Sequence, residues 1–369
     1  MHLVFWQNIV SPHQLPYIKQ LTKEPTIDTV TLVAAEDISE DRKRMGWENG
    51  SEIKNSVNLI IADKNRIPEE IAKELLSREQ ENSIHLFTGI SSFEFCNYYL
   101  RMSLDYNVKR AIISEGPLTF SHGIEGLKPI WLHKIKYFLR EKRYAPFINY
   151  IFAIGTPAVK YFSSINSKWK VFPFAYSTEK PNGNDLVADI EEKQGIVNYI
   201  FVGSLSKRKS PSTIVEAIKG LNNCNLTLVG DGEEKDKINR IIKNDQLFDR
   251  CEMIGFQKQS IIHEKMSQHD VLILPSLHDG WGAVVNEALQ VGLYVLVSDR
   301  CGAADLIKDD EKRGMVFKAG NTKDLANKMR QVIANIQTIR ANRIYRAKWA
   351  EQHISPEAIA HYMIECLTK

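Results

Sequence analysis

Short apolar runs recur along this chain, each followed by a polar stretch long enough for a helix, and the alternation runs through both halves. In the first half the runs are Leu3 to Gln7, Val30 to Val33, Val57 to Ala62, Ile84 to Phe87 and Ala111 to Ile113, with Glu69 to Arg78 among the helical lengths between them. In the second half they are Tyr199 to Val202, Leu226 to Val229, Glu252 to Ile254, Val271 to Leu274 and Tyr294 to Val297. Runs without in/out alternation suit parallel strands covered on both faces by helices, because a strand with one wet face would alternate apolar and polar residues. The prediction is an α/β chain with doubly wound parallel sheets. Its 369 residues exceed the roughly 250 to 300 at which one core stops growing, so two domains are expected. The segment STEKPNGNDLVADIEEKQ at 177–194 is rich in charge, carries a turn cluster and has little apolar content, which marks a boundary. This divides the chain into domains at 1–180 and 181–351, with a helix at about 352–369 able to pack back on the first.

Lys and Arg total 48 against 45 Asp and Glu, and a net charge of +3 gives no basis for nucleic-acid binding through overall charge. The five cysteines are scattered without a CxxC pair, which points to buried thiols in a reducing compartment rather than a zinc site. No run of about 18 apolar residues occurs, and the opening MHLVFWQNIVSPHQLPYIK lacks the basic lead of a signal peptide. The expected location is cytoplasmic, peripheral at the inner face of a membrane.

Ligands of doubly wound sheets sit beyond the carboxyl ends of the strands, so the loops that follow strands are where chemistry is sought. Tyr199 to Val202 leads into Gly203, Ser204, Leu205, Ser206, Lys207, Arg208 and Lys209, where a glycine allows close backbone approach and three cations follow, an anion site or a solvated basic turn. Leu226 to Val229 leads into Gly230, Asp231 and Gly232, then Glu233 and Glu234, acids that the dipole of a first helical turn explains. Val271 to Leu274 leads through His278, Asp279, Gly280, Trp281 and Gly282 to a helix expected from Ala283. The glycines bare backbone amides that, with the helix dipole, form a phosphate site. Glu287, placed two turns into that helix among Val284, Val285, Ala288 and Leu289, is a carboxylate in an apolar setting and needs a partner such as ribose hydroxyls.

These motifs carry a resemblance. The stretch from Tyr199 to about Val332 resembles the C-terminal domain of glycosyltransferase family 4, the group 1 glycosyltransferases of GT-B fold, through FVGSLSKRKS (201–210), LTLVGDGEEKDKI (226–238), IGF (254–256), DVLILPSLHDGWGAVVNEALQVG (270–292) and VLVSDRCGAADLI (295–307). The first half is similar only in its strand pattern and the segment KVFPFAYSTE (170–179). The resemblance implies two Rossmann-like domains facing across a cleft and a retaining transfer of sugar from a nucleotide donor. In the family two glutamates stand with seven residues between them; here Asp279 takes the first position, near the donor sugar, and Glu287 the second, on the ribose. Lys209 matches the lysine on the donor diphosphate, Ser204 stands where an arginine is common, and Arg208 or Lys207 is the candidate second charge. Gly255 and Phe256 fall where the family's loop touches the base, and Gly203, Gly230, Gly280, Trp281, Gly282 and Ala283 complete the donor-side expectation. With no DxD motif to hold a divalent ion, no metal or other cofactor is expected.

On the acceptor side the candidates are Ser11 and His13 after the first strand, His122, and Glu115, which follows Ala111 to Ile113 at a position where the family often has a histidine. The expected catalytic set is thus Asp279, Glu115 and Lys209. The implied activity is glycosyl transfer to a glycan or lipid-linked acceptor in bacterial surface polysaccharide assembly (capsule, O-antigen or exopolysaccharide). A nucleotide-sugar epimerase of the same fold and a non-catalytic nucleotide-sugar binding subunit are the alternatives. Residues 128–152 combine Lys128, Lys134, Lys136, Arg140, Lys142 and Arg143 with Trp131, Tyr137, Phe138, Tyr144, Phe147, Tyr150 and Phe152, a composition that suits contact with an anionic membrane surface.

Overall fold

A computed structural model describes residues 1–37, 57–115, 135, 137–181 and 195–369 of the chain. Two compact units emerge: Met1–Ser177 with Pro356–Lys369, and Thr178–Ser355, against sequence-based limits of 180 and 351. Most of the segment proposed as the boundary, residues 182–194, lies outside the described residues.

In the first unit the elements run β1 (His2–Gln7), α1 (Leu15–Leu21), β2 (Thr29–Ala34), β3 (Asn58–Ile61), α2 (Glu69–Ser77), β4 (Ser83–Thr88), α3 (Glu94–Met102), β5 (Lys109–Ser114), β6 (Tyr150–Ile154), α4 (Thr156–Ile165) and β7 (Lys170–Phe174). The seven strands are parallel in the order β3-β2-β1-β4-β5-β6-β7. Every residue of β1 and β6 is buried, which is why these strands show no alternation. Local patterning does not single out α3, nor β6, whose YIFAI merges in composition with the preceding aromatic segment.

That merger changes the membrane expectation. Tyr150 and Phe152 belong to β6, and Tyr137 and Tyr144 are buried as well, so these four rings fill the unit's interior rather than lie in a headgroup layer. The exposed apolar side chains of the stretch are Ile135, Phe138, Leu139 and Phe147, on a π-helical turn Tyr137–Glu141 that runs into a 3-10 helix Lys142–Phe147, and on Ile135 just before it. Lys128, Trp131, Lys134 and Lys136 lie outside the described residues.

The second unit runs β8 (Val197–Val202), α5 (Ser212–Ile218), β9 (Cys224–Val229), α6 (Lys235–Asn244), β10 (Cys251–Gly255), α7 (Gln259–Ser267), β11 (Val271–Leu274), α8 (Val284–Gln290), β12 (Tyr294–Ser298), β13 (Gly314–Phe317), α9 (Thr322–Ala334), α10 (Ile336–Ala341) and α11 (Arg343–His353). Its six parallel strands lie in the order β10-β9-β8-β11-β12-β13. The order reverses between β8 and β11, and the loops leaving the carboxyl ends of two such neighbours diverge, opening the crevice where doubly wound sheets bind ligands.

The amino edge of this sheet is closed by arginines. Arg340 grips Asp270 with two hydrogen bonds (2.8 and 3.0 Å) and donates to Ile196 O, Arg343 donates to Ser267 O and His269 O, and Arg346 to Gly292 O, Lys312 O and Ile339 O. Most of those carbonyls immediately precede strands β8, β11, β12 and β13, so two helices fix the sheet's edge through the main chain. After α11 the chain returns to the first unit as α12 (Pro356–Leu367), which packs on α1, where Tyr150 Oη donates to Leu367 O at 3.2 Å.

Candidate functional site

The loop after β8 begins at Gly203, whose N–H donates to Val229 O (3.0 Å), while Leu205 N–H donates to Asp231 O (2.9 Å), so the loops after β8 and β9 lie against each other. Gly230, at φ +139, makes this approach possible: a Cβ there would stand 1.9 Å from Gly203 O. The acids of the β9 loop are spent on structure. Asp231 accepts from Gly232 N–H and from Lys235, Glu233 accepts from Lys207 N–H (3.0 Å), and buried Glu234 accepts from Ser212 Oγ (3.0 Å) and Lys237 (2.9 Å).

The loop after β11 is tied to the β8 loop in turn. Leu277 N–H donates to Arg208 O (2.8 Å), and Arg208 Nη1 donates to His278 O (2.9 Å). Lys209 Nζ pairs with Asp279 Oδ2, and Arg208 Nη1 lies 3.8 Å from Asp279 Oδ1. Asp279 is itself held by the loop after β12: its N–H donates to Arg300 O (3.0 Å) and its carbonyl accepts from Gly302 N–H (3.2 Å). Three post-strand loops therefore meet at one carboxylate and two cations, at the point where the strand order reverses. Arg208 is thus the second cation that faces Asp279.

Beneath the pair lies Cys301, its Sγ 3.4 Å from Ser298 Oγ. Burial first, then the charge of Asp279, pushes its thiol up to about 12, so it stays neutral and serves packing rather than nucleophilic attack. Trp281 is buried with its indole N–H on Asn286 Oδ1 (2.8 Å), which fastens the loop to α8. Gly282 turns the chain at φ +93 where a Cβ would come 2.7 Å from Leu274 Cδ2. Glu287 is buried and stands one turn into α8, not two, since its N–H reaches back to Ala283 O and the helix starts at Val284. Ser204 Oγ is 3.2 Å from Ser206 Oγ. Phe256 is half-exposed after Gly255, whose carbonyl accepts from Gly230 N–H (2.8 Å). Among the described residues no three His, Cys, Asp or Glu side chains gather as metal ligands.

In the first unit Glu115 accepts a hydrogen bond from Tyr176 Oη (2.8 Å), and the His13 ring is 6.0 Å from the Tyr176 ring. Ser11 and His13 are half-buried, and His122 lies outside the described residues. Tyr176 is a residue that sequence reasoning missed: a tyrosine after an apolar strand carries no spacing signal, and only the fold brings it to Glu115.

Residues 187–352 match the family model for glycosyl transferases group 1. An uncharacterized glycosyltransferase of Methanocaldococcus jannaschii is 28% identical over 154 residues, 41% of this chain and 43% of that protein. The lipopolysaccharide core biosynthesis glycosyltransferase LpsE of Rhizobium meliloti is 27% identical over 134 residues, 36% of this chain and 38% of that protein. The chain thus spans about two fifths of the curated glycosyltransferases it matches. Among solved structures HepE of Anabaena, in complex with UDP, is similar over 100% of both chains with a TM-score of 0.74 at 15% identity. The likeness to HepE, and to the glycosyltransferase WaaG with a TM-score of 0.59 at 13% identity, is one of fold, two Rossmann-like parallel-sheet domains of the GT-B class.

Proposed function

We propose that this chain is a retaining glycosyltransferase that moves a sugar from a nucleotide-sugar donor to a glycan or lipid-linked acceptor, in bacterial surface polysaccharide assembly. The observation that carries the reading is the convergence of Lys209, Arg208 and Asp279 at the carboxyl ends of β8 and β11. Departure of a nucleoside diphosphate builds negative charge on phosphate oxygens, and cations fixed beforehand by the fold stabilise that charge without reorganising. In this reading Lys209 and Arg208 face the diphosphate, Glu287 the ribose, Gly255 and Phe256 the base, and Asp279 the donor sugar. Gly203, Ser204, Gly230, Gly280, Trp281, Gly282 and Ala283 shape the same site through backbone approach and packing. Glu115, with Ser11, His13 and His122 as further candidates, serves the acceptor. HepE was solved with UDP-glucose as well as with UDP, and LpsE is named for lipopolysaccharide core biosynthesis, both of which support the choice of donor class and setting.

The test is a binding panel of UDP-, GDP-, dTDP- and ADP-sugars followed by donor turnover in buffer with EDTA. One donor should bind and be turned over without an added metal, and Lys209→Ala should lower turnover about 100- to 1,000-fold, the usual cost of losing one charge-stabilising donor. Binding of no nucleotide-sugar, or wild-type turnover in Lys209→Ala, would end this reading. Loss of turnover in EDTA that manganese or magnesium restores would end its metal-independent form.

A further inference from the structure

Ser210 follows Lys209 directly, and its backbone lies in the left-handed region at φ +53. There an L side chain is crowded by the following carbonyl oxygen, so the conformation persists only where the surrounding structure over-determines it. The next residue is Pro211, whose ring disfavours helical backbone in the residue before it and biases that residue toward an extended form. Local preference at Ser210 therefore opposes the conformation it adopts. Among the described residues Lys64, Asn65, Glu79, Asn223 and Gln246 are the other non-glycine residues with positive φ, and all five are exposed. Ser210 alone of the six is buried.

Contacts on both sides hold it there. Ser210 N–H donates to Ser206 O at 2.8 Å, closing one helical turn that goes no further, and within that turn Lys209 N–H donates to Ser206 Oγ at 3.4 Å. Beyond it, Thr213 N–H donates to Ser210 O at 3.1 Å, and the Ser210 and Thr213 hydroxyls share a hydrogen bond at 2.8 Å. Ser212, Thr213, Ile214 and Val215 of α5 are buried, so the helix is a fixed base, and φ at Ser210 sets the direction in which Lys209 leaves it. In that direction the Lys209 ammonium meets Asp279 Oδ2. An extended Ser210 would open the turn to Ser206 and carry the Lys209 backbone elsewhere.

We propose that Ser210 is a positioning residue for Lys209: its left-handed backbone, held by Ser206 and by the Thr213 hydroxyl, fixes where the ammonium stands to receive a nucleoside diphosphate. The inference rests on the glycosyltransferase reading of Lys209 and adds to it the residue that presets that cation. The hydroxyl contact to Thr213 offsets the crowding at Ser210, a role that glycine would not need and that alanine could not fill.

The experiment titrates wild type with UDP, GDP, dTDP and ADP by calorimetry, then titrates the nucleotide that binds into Ser210→Gly, Ser210→Ala, Ser210→Val, Lys209→Ala and the double variant of Lys209→Ala with Ser210→Ala. Ser210→Gly should bind within about twofold of wild type, because glycine takes the left-handed region without a penalty. Ser210→Ala should bind about fivefold more weakly, since it keeps the crowding and loses the hydroxyl contact, and Ser210→Val at least about tenfold more weakly, since a branched side chain is excluded from that region. Glycine and alanine both lack the hydroxyl, so the gap between them reads the backbone; it decides the matter even where Ser210→Val fails to fold. In the Lys209→Ala background Ser210→Ala should cost under about twofold, because a residue that acts through Lys209 has nothing left to position. Equal losses in Ser210→Gly and Ser210→Ala, or a Ser210→Ala penalty that persists without the Lys209 ammonium, overturn the positioning role. A wild-type chain that binds none of the four nucleotides removes the glycosyltransferase reading and this inference together. Nucleotide binding left intact by Ser210→Ala removes this inference alone.

Discussion

In the proposed donor site, Asp279 faces the two cations assigned to the diphosphate, Lys209 and Arg208. Its carboxylate pairs with Lys209 and faces Arg208, and the Lys209 and Asp279 side chains are only 15% and 12% exposed, so under the proposed reading a donor displaces a partner that is already in place. Asp279→Asn removes that competitor while keeping the shape. UDP should then bind about three- to tenfold tighter by calorimetric titration, a gain of the size expected for a partly buried ion pair, while sugar transfer falls. Equal or weaker UDP binding would show that Asp279 does not compete. A second residue acts on stability rather than on the site. His85 is buried in the first unit, where it accepts from Trp6 Nε1 (3.1 Å), and burial first, then the nearby Arg110, lowers its pKa to about 3. The folded form therefore stays neutral while the unfolded chain takes up a proton below about pH 6.5. With the folded value depressed, stability is full above that pH and falls by roughly 1.4 kcal/mol per pH unit as the pH drops toward the folded value. Melting at pH 7 and pH 5 should show a smaller pH-dependent loss for His85→Phe than for wild type; equal losses would assign the acid sensitivity elsewhere.

At the scale of elements, the loops after β8, β9 and β10 stack through main-chain contacts, and glycine is required where they touch. Gly230→Ala places a methyl 1.9 Å from Gly203 O at a φ of +139, so both the contact and the backbone must give. A cost of about 2 to 4 kcal/mol is expected, together with weaker nucleotide binding because the displaced loop carries Lys209. Gly255→Ala is the control: its φ of +71 is also left-handed, but a Cβ there meets nothing within 4 Å, so about 1 kcal/mol is expected. Thermal melts of the two variants check the pair, and a UDP titration checks Gly230→Ala against wild type; similar losses of stability in both would mean that the loop contact is not the constraint. The arginines at the opposite edge explain why the loops can hold their places. Arg340, Arg343 and Arg346 bond the carbonyls that precede four strands, and strands fixed at their amino ends deliver their carboxyl ends in constant register.

For the whole molecule, the expected membrane contact falls on the first unit. No helix among the described residues is long and apolar enough to cross a membrane. Between Tyr137 and Phe147, however, Phe138, Leu139 and Phe147 are 59%, 79% and 42% exposed, with Arg140, Lys142 and Arg143 beside them. Lys142 Nζ sits 5.0 Å from the centre of the Phe138 ring, so cation and apolar surface are presented together. At about 1 kcal/mol per cation near an anionic surface, plus the apolar side chains, reversible binding is expected. Flotation with vesicles containing phosphatidylglycerol should carry the protein at low salt and release it at high salt, and Leu139→Glu should abolish flotation. A wild-type chain that stays behind at low salt would remove the membrane from the proposal.

Much of this architecture is legible in local residue patterns. Val271–Leu274 and Tyr294–Ser298 are buried on both faces, so their apolar composition alone separates them from amphipathic strands and predicts parallel sheets. The loops after β8, β9 and β11 are legible for a related reason: Gly230 and Gly282 mark close approaches at positive φ that favour glycine, and Lys207 to Lys209 cluster in sequence. Other features depend on contacts between distant segments. Tyr150 and Phe152 share the composition of an amphipathic surface stretch, yet strand pairing with β5 and β7 places them in the core. That Arg208 faces Asp279 comes from the β11 loop, 70 residues away, whose His278 O and Asp279 receive its guanidinium. Tyr176 and Glu115, 61 residues apart, follow different strands of one sheet and share a hydrogen bond. Periodicity and turn chemistry are properties of neighbours along the chain, and they mark most of the elements, though not α3 or β6; partners for charge and hydrogen bonds are chosen by proximity in space, which only the packed sheets decide.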